Sequence, residues 1–231
     1  IYAGDGEVDD SFTETSTSAG FTLTGTYTTS QEFTLSAGLG DNGNANAAAK
    51  RYGSDTGYGL FRDSESTDVG LIPLGEADAT LVQNVIDNVA DIRKDCVVFV
   101  SPEEADVVNK EGSEVTNAVA RRNALPSTSY AVMDGNYKYM FDRYSSVYRW
   151  VPMNGDVAGI CAQADNVNPY VSPAGFTRGN VKNVGHLAFV PNNAERDDLY
   201  INGINPIASF PGKGKILFGD KTMLGRPSSF D

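Results

Sequence analysis

The strongest constraint on the fold lies in residues 68–102, where two short apolar runs flank a segment with helical periodicity. Residues 69–74 and 96–100 are mostly apolar, as strands of a parallel sheet are when both of their faces are covered. Between them, apolar side chains recur at helical spacing, at Leu81, Val82, Val85, Ile86 and Val89. A crossover of this length suits a right-handed βαβ unit, so the sequence predicts one over residues 68–102. Asp78 or Thr80 is predicted to cap the start of the helix.

Three further strands are predicted between residues 130 and 151, where aromatic and β-branched residues recur. The predicted strands are residues 130–133, 137–141 and 147–151. The first two are separated by Asp134-Gly135-Asn136, and Asp-Gly between apolar runs is a strong hairpin signal. We therefore expect an antiparallel meander over residues 130–151. Trp150, in the third of these strands, is expected to pack into the core.

The remaining elements of the second half complete an α/β fold. Helices are predicted at residues 114–123, 158–164 and 181–190, and a last short strand at residues 216–218. The predicted architecture is a mixed β-sheet flanked by helices. Cys96 and Cys161 lie inside apolar runs, so both are expected to be reduced and mostly buried.

The first part of the chain has a different composition. Residues 8–40 alternate Thr and Ser with single apolar residues, a period of two that is typical of short, partly exposed strands. Residues 1–70 carry a net charge of −8 out of −12 for the whole chain. Residues 38–49 are rich in Gly, Asn and Ala and predict a loop. We therefore predict a small β-rich part over residues 1–37 and an α/β body over residues 38–231.

The acidic balance narrows the range of functions. Nucleic-acid binding depends on clustered Lys and Arg, whereas here 30 acidic residues outnumber 18 basic ones. No run approaches the roughly 20 apolar residues that a membrane-spanning helix needs. We therefore expect no nucleic-acid partner and no membrane insertion.

No motif in the chain predicts a metal, a cofactor or a catalytic triad. His186 is the only histidine, and it lies in an apolar series that predicts a helix, which disfavours a zinc cluster. Residues 212–215 read Gly-Lys-Gly-Lys but lack the spacing of a phosphate-binding loop. Residues 41–44 are similar to an oxygen-rich calcium loop, but alanines stand where the later ligands are needed.

Two pairs of adjacent carboxylates could in principle supply an acid and a base to a sugar-cleaving cleft. They are Glu103 with Glu104 and Asp197 with Asp198. Adjacent side chains on a helix or strand point in different directions, and neither pair lies in an apolar segment that would separate the two pKa values. Solvated surface acids are the favoured interpretation, and the chain is predicted not to be an enzyme.

Nine short segments of the second half, read in order, resemble the tail sheath proteins of T-even-type contractile phages. They are residues 134–139, 149–152, 156–159, 165–167, 172–175, 178–179, 204–206, 217–222 and 227–231. The resemblance covers about residues 65–231. The signature positions, all expected to be structural, are Asp134, Gly135, Asn136, Tyr137, Lys138, Tyr139, Arg149, Trp150, Pro152, Ser172, Pro173, Ala174, Gly175, Arg178, Gly219, Asp220 and Lys221.

The resemblance implies a mechanical function. A sheath is a helical stack of identical subunits around a tail tube, which it drives through the host cell envelope when it shortens. The expected partners are other sheath subunits, with the tail tube and the baseplate contacted through parts of the full-length chain. The expected location is the virion tail, assembled in the host bacterial cytoplasm. Residues 38–231 would be the sheath body domain, and residues 1–37 the end of a more exposed domain.

A different class of function remains open on the residues alone. A carbohydrate-binding or glycan-acting virion domain would also explain a surface rich in Tyr and Thr. A concave cleft with convergent carboxylates would favour that alternative.

Overall fold

The structure is a computed structural model that describes residues 15–17, 20–22, 51–53, 56–168 and 171–225. The chain divides into two compact units, Ile1–Lys50 and Arg51–Asp231.

In the first unit, two short strands form an antiparallel pair. Strand β1 (Thr15–Thr17) pairs with β2 (Gly20–Thr22). The other strands predicted within residues 8–40, the predicted boundary at residue 37 and the segment 41–44 lie outside the described residues.

The second unit alternates strands and helices after a 3-10 helix at Gly57–Phe61. Its strands are β3 (Leu71–Pro73), β4 (Val97–Val100), β5 (Ala131–Asp134), β6 (Tyr137–Asp142), β7 (Val147–Pro152), β8 (Asn180–Val181), β9 (His186–Leu187), β10 (Ile204–Asn205), β11 (Ile207–Phe210) and β12 (Gly214–Leu217). Its helices are α1 (Ala79–Val85), α2 (Asp91–Arg93), α3 (Glu104–Val107), α4 (Glu114–Asn123), α5 (Asn154–Val167) and α6 (Asn193–Ile201). A π-helical turn (Ile86–Ala90) joins α1 to α2.

A parallel sheet with the strand order β10-β5-β4-β3 is the centre of this unit. Strands β3 and β4 pair in parallel, and the segment from α1 to α2 crosses between them. The predicted order of parallel strand, helix and strand over residues 68–102 is thus confirmed. The helix begins as expected, because the Asp78 carboxylate accepts a hydrogen bond from the Leu81 N–H at 2.7 Å. It ends at Lys94, which has the left-handed φ of 61° common after a last helical turn.

The two faces of the parallel sheet belong to two separate cores, because successive side chains of a strand point to opposite sides. One face packs with buried residues of α1, the π-helical turn, α4 and α6. Its strand residues are Ile72, Val98, Val100, Ala131, Met133 and Ile204. The other face packs against α5 and the strands that follow it. Its strand residues are Leu71, Val97, Phe99 and Val132. The parallel sheet is therefore the middle layer of three.

The meander predicted at residues 130–151 is wrong in its first strand and correct in the other two. Strand β5 lies in the parallel sheet between β10 and β4. Strands β6 and β7 form the expected antiparallel hairpin, which turns at residues 143–146. The segment Asp134-Gly135-Asn136 makes no hairpin turn because its polar side chains are bonded to other segments, and it carries the chain from one sheet to the next.

The helix predicted at residues 181–190 is also wrong, since this segment contributes to β8 and β9. Strand β9 pairs antiparallel with β6. The Gly185 N–H donates to the Tyr139 carbonyl at 3.0 Å, and the Ala188 N–H donates to the Tyr137 carbonyl at 2.9 Å. A Cβ added to Gly185 would lie 2.8 Å from the Tyr139 oxygen, so only glycine allows this approach. Pairing with β6 thus prevails over the helical spacing of the sequence.

The other elements predicted for the second half are confirmed. The helix predicted at residues 114–123 is α4, the one at 158–164 lies within α5, and the strand at 216–218 overlaps β12. Both cysteines are free thiols; Cys96 is buried as expected, whereas Cys161 is only half-buried.

Candidate functional site

A row of polar groups lies along the carboxyl ends of the parallel strands. From β10 to β3, these groups belong to Asn205, Asp134, Ser101 and Gly75. In open α/β sheets, ligands bind at this edge where the strand order reverses. Among the described strands of this sheet, the order follows the chain order without a reversal, so these strands create no such crevice. Gly75, Ser101 and Asp134 bond to one another or to two further asparagines, whereas Asn205 bonds to the backbone of Lys221. We call the whole set the polar seam: Gly75, Ser101, Asp134, Asn136, Asn154 and Asn205.

Asp134 lies at the centre of the polar seam and is only 1% exposed. Its carboxylate accepts hydrogen bonds from the Ser101 hydroxyl at 2.6 Å and from the Asn136 N–H at 3.1 Å. The Ser101 oxygen in turn accepts from the Asn154 N–H at 3.1 Å. The pKa of Asp134 is raised to about 7, mainly because desolvation by burial outweighs these two hydrogen bonds and to a smaller extent because of the nearby Asp156 carboxylate.

Two asparagine side chains tie the polar seam to neighbouring segments. Asn154, at the start of α5, donates to the Gly75 carbonyl at 2.7 Å and accepts from the Gly75 N–H at 3.2 Å. Asn136 accepts from the Tyr137 N–H at 2.9 Å and donates to the Phe189 carbonyl at 2.9 Å. These bonds connect the parallel sheet to α5 and to the segment around β9.

Asn205 closes the other end of the polar seam. Its side chain accepts from the Lys221 N–H at 2.9 Å and donates to the Lys221 carbonyl at 2.8 Å. Gly219 packs so closely that an added Cβ would lie 2.7 Å from Asn205 Oδ1. The Lys221 ammonium lies 4.0 Å from the centroid of the Tyr200 ring, a cation–π contact. The backbone that follows β12 is therefore held in one position.

A groove of about 650 Å³ opens next to this end of the polar seam. One wall is the face of α6 that carries Asn193, Arg196, Asp197 and Tyr200. The rest of the lining is Ala174, Gly175, Pro206, Phe218, Gly219 and Asp220. We call it the aromatic groove because of the phenylalanines at its rim.

Three phenylalanines cluster at the rim of the aromatic groove. The ring centroids of Phe176, Phe210 and Phe218 are 5.0–5.8 Å apart. Phe176 is 51% exposed and Phe218 43% exposed. The Arg196 guanidinium lies over both Phe210 and Phe218, at 5.0 and 5.8 Å from the ring centroids. Exposed aromatic rings and an arginine beside a groove are typical of an interaction surface.

A second aromatic surface covers β6, β7 and β9. Its rings contact one another at centroid separations of 4.6–5.4 Å. They belong to Tyr139, Phe141, Tyr148, Trp150 and His186. Trp150 is half-buried at the margin of the core, so its predicted place in the core is correct only in part. His186 is exposed on a strand and not on a helix.

The model of one protein family, the phage tail sheath protein central domain, matches residues 72–223. That range runs from β3 through the polar seam and the aromatic groove and extends past β12. It covers well over half of the chain. This chain belongs to the phage tail sheath family.

Curated tail sheath proteins agree with this assignment. The tail sheath protein of Vibrio phage KVP40 is 42% identical over 216 residues, which are 84% of this chain and 32% of the relative. The tail sheath protein of Enterobacteria phage T4 is 39% identical over 218 residues, which are 86% of this chain and 32% of the relative. The chain therefore spans about a third of the length of these sheath proteins.

A solved sheath structure shares the fold. The sheath complex of an extracellular contractile injection system, PVC, in its contracted state, aligns with a TM-score of 0.55 at 17% identity. The alignment covers 74% of this chain and 45% of that chain. The three-layer unit described above thus has the α/β fold of a contractile sheath protein.

Many of the sheath signature positions meet at two places. Asp134, Gly135, Asn136 and Lys221 lie in or against the polar seam. Ala174, Gly175, Gly219 and Asp220 line the aromatic groove. The others are Tyr137, Lys138, Tyr139, Arg149, Trp150 and Pro152 on the β6–β7 hairpin, and Ser172, Pro173 and Arg178 in the segment before β8.

The hairpin positions include a nearly buried ion pair. The Lys138 ammonium, on β6, lies 2.7 Å from the Asp156 carboxylate in the first turn of α5. Only 8% of the Lys138 side chain is exposed. Arg149 pairs with Asp142 at 3.1 Å on the exposed side of the hairpin. The first pair connects two elements of the body, whereas the second stays within the hairpin.

Three side chains of the polar seam, those of Ser101, Asn154 and Asn205, are not among the predicted signature positions. Ser101 could have been predicted from the sequence, because it is the first polar residue after an apolar strand and so lies at the carboxyl edge of a parallel sheet. Asn205 lies in the segment 204–206 that resembles the sheath family, although it was not singled out as a signature position. Asn154 had no such signal, since asparagine before a helix is also common in surface loops.

The carboxylate pairs considered for catalysis lie at the start of α3 and on α6. Glu103 pairs with Arg121 at 2.8 Å, and its N–H donates to Asp106 at 3.1 Å, as expected at a helix start. Asp197 lines the aromatic groove, and Asp198, one residue further along α6, points in a different direction. In the described parts of the chain, no three His, Cys, Asp or Glu residues are grouped to hold a metal ion. No helix within the described ranges is long and apolar enough to cross a membrane.

Proposed function

We propose that this chain is the body of a tail sheath subunit, which assembles helically around a tail tube and shortens to drive the tube through the host cell envelope. The observation that supports this most directly is the match of the sheath central-domain family over residues 72–223, which covers the three-layer unit almost completely. The subunit acts mechanically and not as an enzyme.

The packing of the body suits that role. A contractile lattice needs subunits that move as rigid units between two arrangements. The polar seam ties β5, β4 and β3 to α5 and to the β9 segment, and it ties β10 to the backbone after β12, in both cases through buried side chains. Buried hydrogen-bond networks whose members are all satisfied rigidify a unit and specify one packing. The signature positions in the seam, including Asp134 and Asn136, thus have a structural role.

The partners follow from the same proposal. Other sheath subunits are the direct neighbours, and the tail tube and baseplate are contacted through parts of the full-length protein beyond this body. The subunit is located in the virion tail after assembly in the host cytoplasm. Residues 38–231 form the body domain, and residues 1–37 are the end of a more exposed domain.

Electron microscopy of the full-length gene product tests the proposal. Purified protein at increasing concentration should form long hollow tubes with helical order. An antibody against an exposed loop of this chain should decorate the tubes at a regular repeat, and a preimmune antibody is the control. A product that stays dispersed under conditions in which a known phage sheath polymerises would contradict the proposal.

A further inference from the structure

The tip of the β6–β7 hairpin is an exposed projection with a fixed shape. Tyr144 is 94% exposed, and Arg143 beside it is also exposed. The Asp142 carboxylate accepts hydrogen bonds from the N–H groups of Tyr144 at 3.0 Å and Ser145 at 3.4 Å. Ser146 completes the turn with a left-handed φ of 54°. The turn is therefore held in one conformation while its two largest side chains point away from the body.

The hairpin tip has two features that are common in protein–protein interfaces. Tyrosine and arginine are enriched among the residues that dominate the energy of protein interfaces. Ordering a loop before it binds reduces the entropy that association must overcome. An ordered hairpin tip that exposes Arg143 and Tyr144 has both properties.

The aromatic groove has the complementary chemistry. Its lining includes the carboxylates of Asp197 and Asp220. Phe218 adds an exposed ring, and Arg196 is stacked on the phenylalanine cluster. A groove of about 650 Å³ is within the roughly 300–1,000 Å³ range of small-molecule sites, a volume that also accommodates a few side chains. An arginine and a tyrosine would thus find opposite charge and aromatic rings in one place.

We infer that the hairpin tip of one copy inserts into the aromatic groove of a second copy, with Arg143 paired to Asp197 or Asp220 and Tyr144 packed on Phe218. The contact joins two different surfaces of the same chain. Such heterologous contacts produce open helical assemblies when the rotation does not close a ring. The inference rests on the proposed function, since it names the contact by which sheath bodies meet.

Charge reversal tests the contact in the 231-residue chain. Self-association is measured by sedimentation velocity between 50 µM and 1 mM, because a single small contact is expected to be weak. Arg143→Glu and Asp197→Arg should each weaken the association at least tenfold. The matched controls are Lys110→Glu and Asp87→Arg, which make the same charge changes at exposed positions outside both surfaces and should leave it unchanged.

Mixing the two variants gives the decisive result. Arg143→Glu protein keeps a normal groove, and Asp197→Arg protein keeps a normal hairpin tip. In an equimolar mixture, the normal tip of the Asp197→Arg chain meets the normal groove of the Arg143→Glu chain, and the reversed tip meets the reversed groove. Association should therefore return to within about threefold of the unchanged chain. Circular dichroism of each variant confirms that the fold is retained.

Several outcomes would overturn the inference: no self-association at 1 mM, control variants as weak as the test variants, or no recovery in the mixture. The same two substitutions in the full-length product separate this inference from the proposed function. If tubes form normally with both variants, the sheath function stands and this contact is wrong. If the unchanged product forms no tubes, the proposed function itself fails.

Discussion

The buried carboxyl group of Asp134 should make the stability of the body depend on pH in an unusual direction. Burial raises its folded pKa to about 7, whereas an unfolded aspartate titrates near 4. Between these two values the folded chain binds more protons than the unfolded chain, so the free energy of unfolding falls as the pH rises. The stabilisation that the protonated Asp134 carboxyl group gives to the folded chain is fully present below about pH 4. It is lost as the pH passes through about 7.

The magnitude follows from the size of the shift. A shift of about three pKa units corresponds to about 4 kcal/mol, of which about 3 kcal/mol should be lost between pH 4.5 and 7.5. Asp134→Asn should remove this dependence, because the amide is neutral at every pH. The amide can also stay bonded, since its oxygen accepts from the Asn136 N–H and its NH₂ group donates to the Ser101 oxygen.

Urea unfolding of the 231-residue chain at half-unit pH steps provides the measurement. The difference in unfolding free energy between Asp134→Asn and the unchanged chain should grow by about 3 kcal/mol from pH 4.5 to 7.5 in favour of the variant. Asp87→Asn, an exposed acid in the π-helical turn, is the control and should follow the unchanged chain. Parallel profiles for Asp134→Asn and the unchanged chain would refute the reasoning, and so would a carboxyl NMR titration of Asp134 with a midpoint near 4.

Three further predictions concern packing and thiol reactivity. Gly179→Ala should lower the unfolding free energy by about 2 kcal/mol, because the new Cβ would lie 2.7 Å from the Leu217 carbonyl oxygen. Gly159→Ala, on an open helix surface, should raise the unfolding free energy by about 0.5–1 kcal/mol in the same urea titration. Trp150→Ala should cost about 1.5–3 kcal/mol, less than the roughly 3–5 kcal/mol of a fully buried aromatic residue, and a loss above that range would show that the ring is more deeply packed. Cys161 should react slowly with a thiol reagent at pH 8, because burial raises its thiol pKa to about 11, and rapid labelling of the native chain would contradict this.

Much of the parallel sheet could be predicted because its signals are local. The βαβ unit at residues 68–102 follows from two apolar runs and one amphipathic periodicity, and the Asp78 cap follows from a single side chain at a helix start. Helix α4 likewise matches its predicted bounds. Each of these depends on residues that are close in the sequence.

The wrong predictions concern segments whose strand partners lie far away in the chain. Strand β5 could pair with β6 through an Asp-Gly turn, but it pairs instead with β4 and β10, and β10 follows some seventy residues later. Residues 181–190 have helical spacing, but their backbone pairs with β6 because Gly185 permits a close approach. Neither strand pairing can be predicted from the residues next to the segment in the sequence.

In the polar seam and the aromatic groove too, some features follow from the local sequence and others from contacts between distant residues. The sequence by itself determined that residues around Asp134 and Gly219 resemble a sheath protein, and that apolar periodicity builds an α/β body. Only the tertiary structure decided that Asp134 meets Ser101 and that the signature residues 174–175 and 219–220 line one groove. The physical reason is that a buried polar group must find its hydrogen-bond partner wherever the folded chain supplies one, and the free energy of that pairing depends on distance in space and not on separation in sequence.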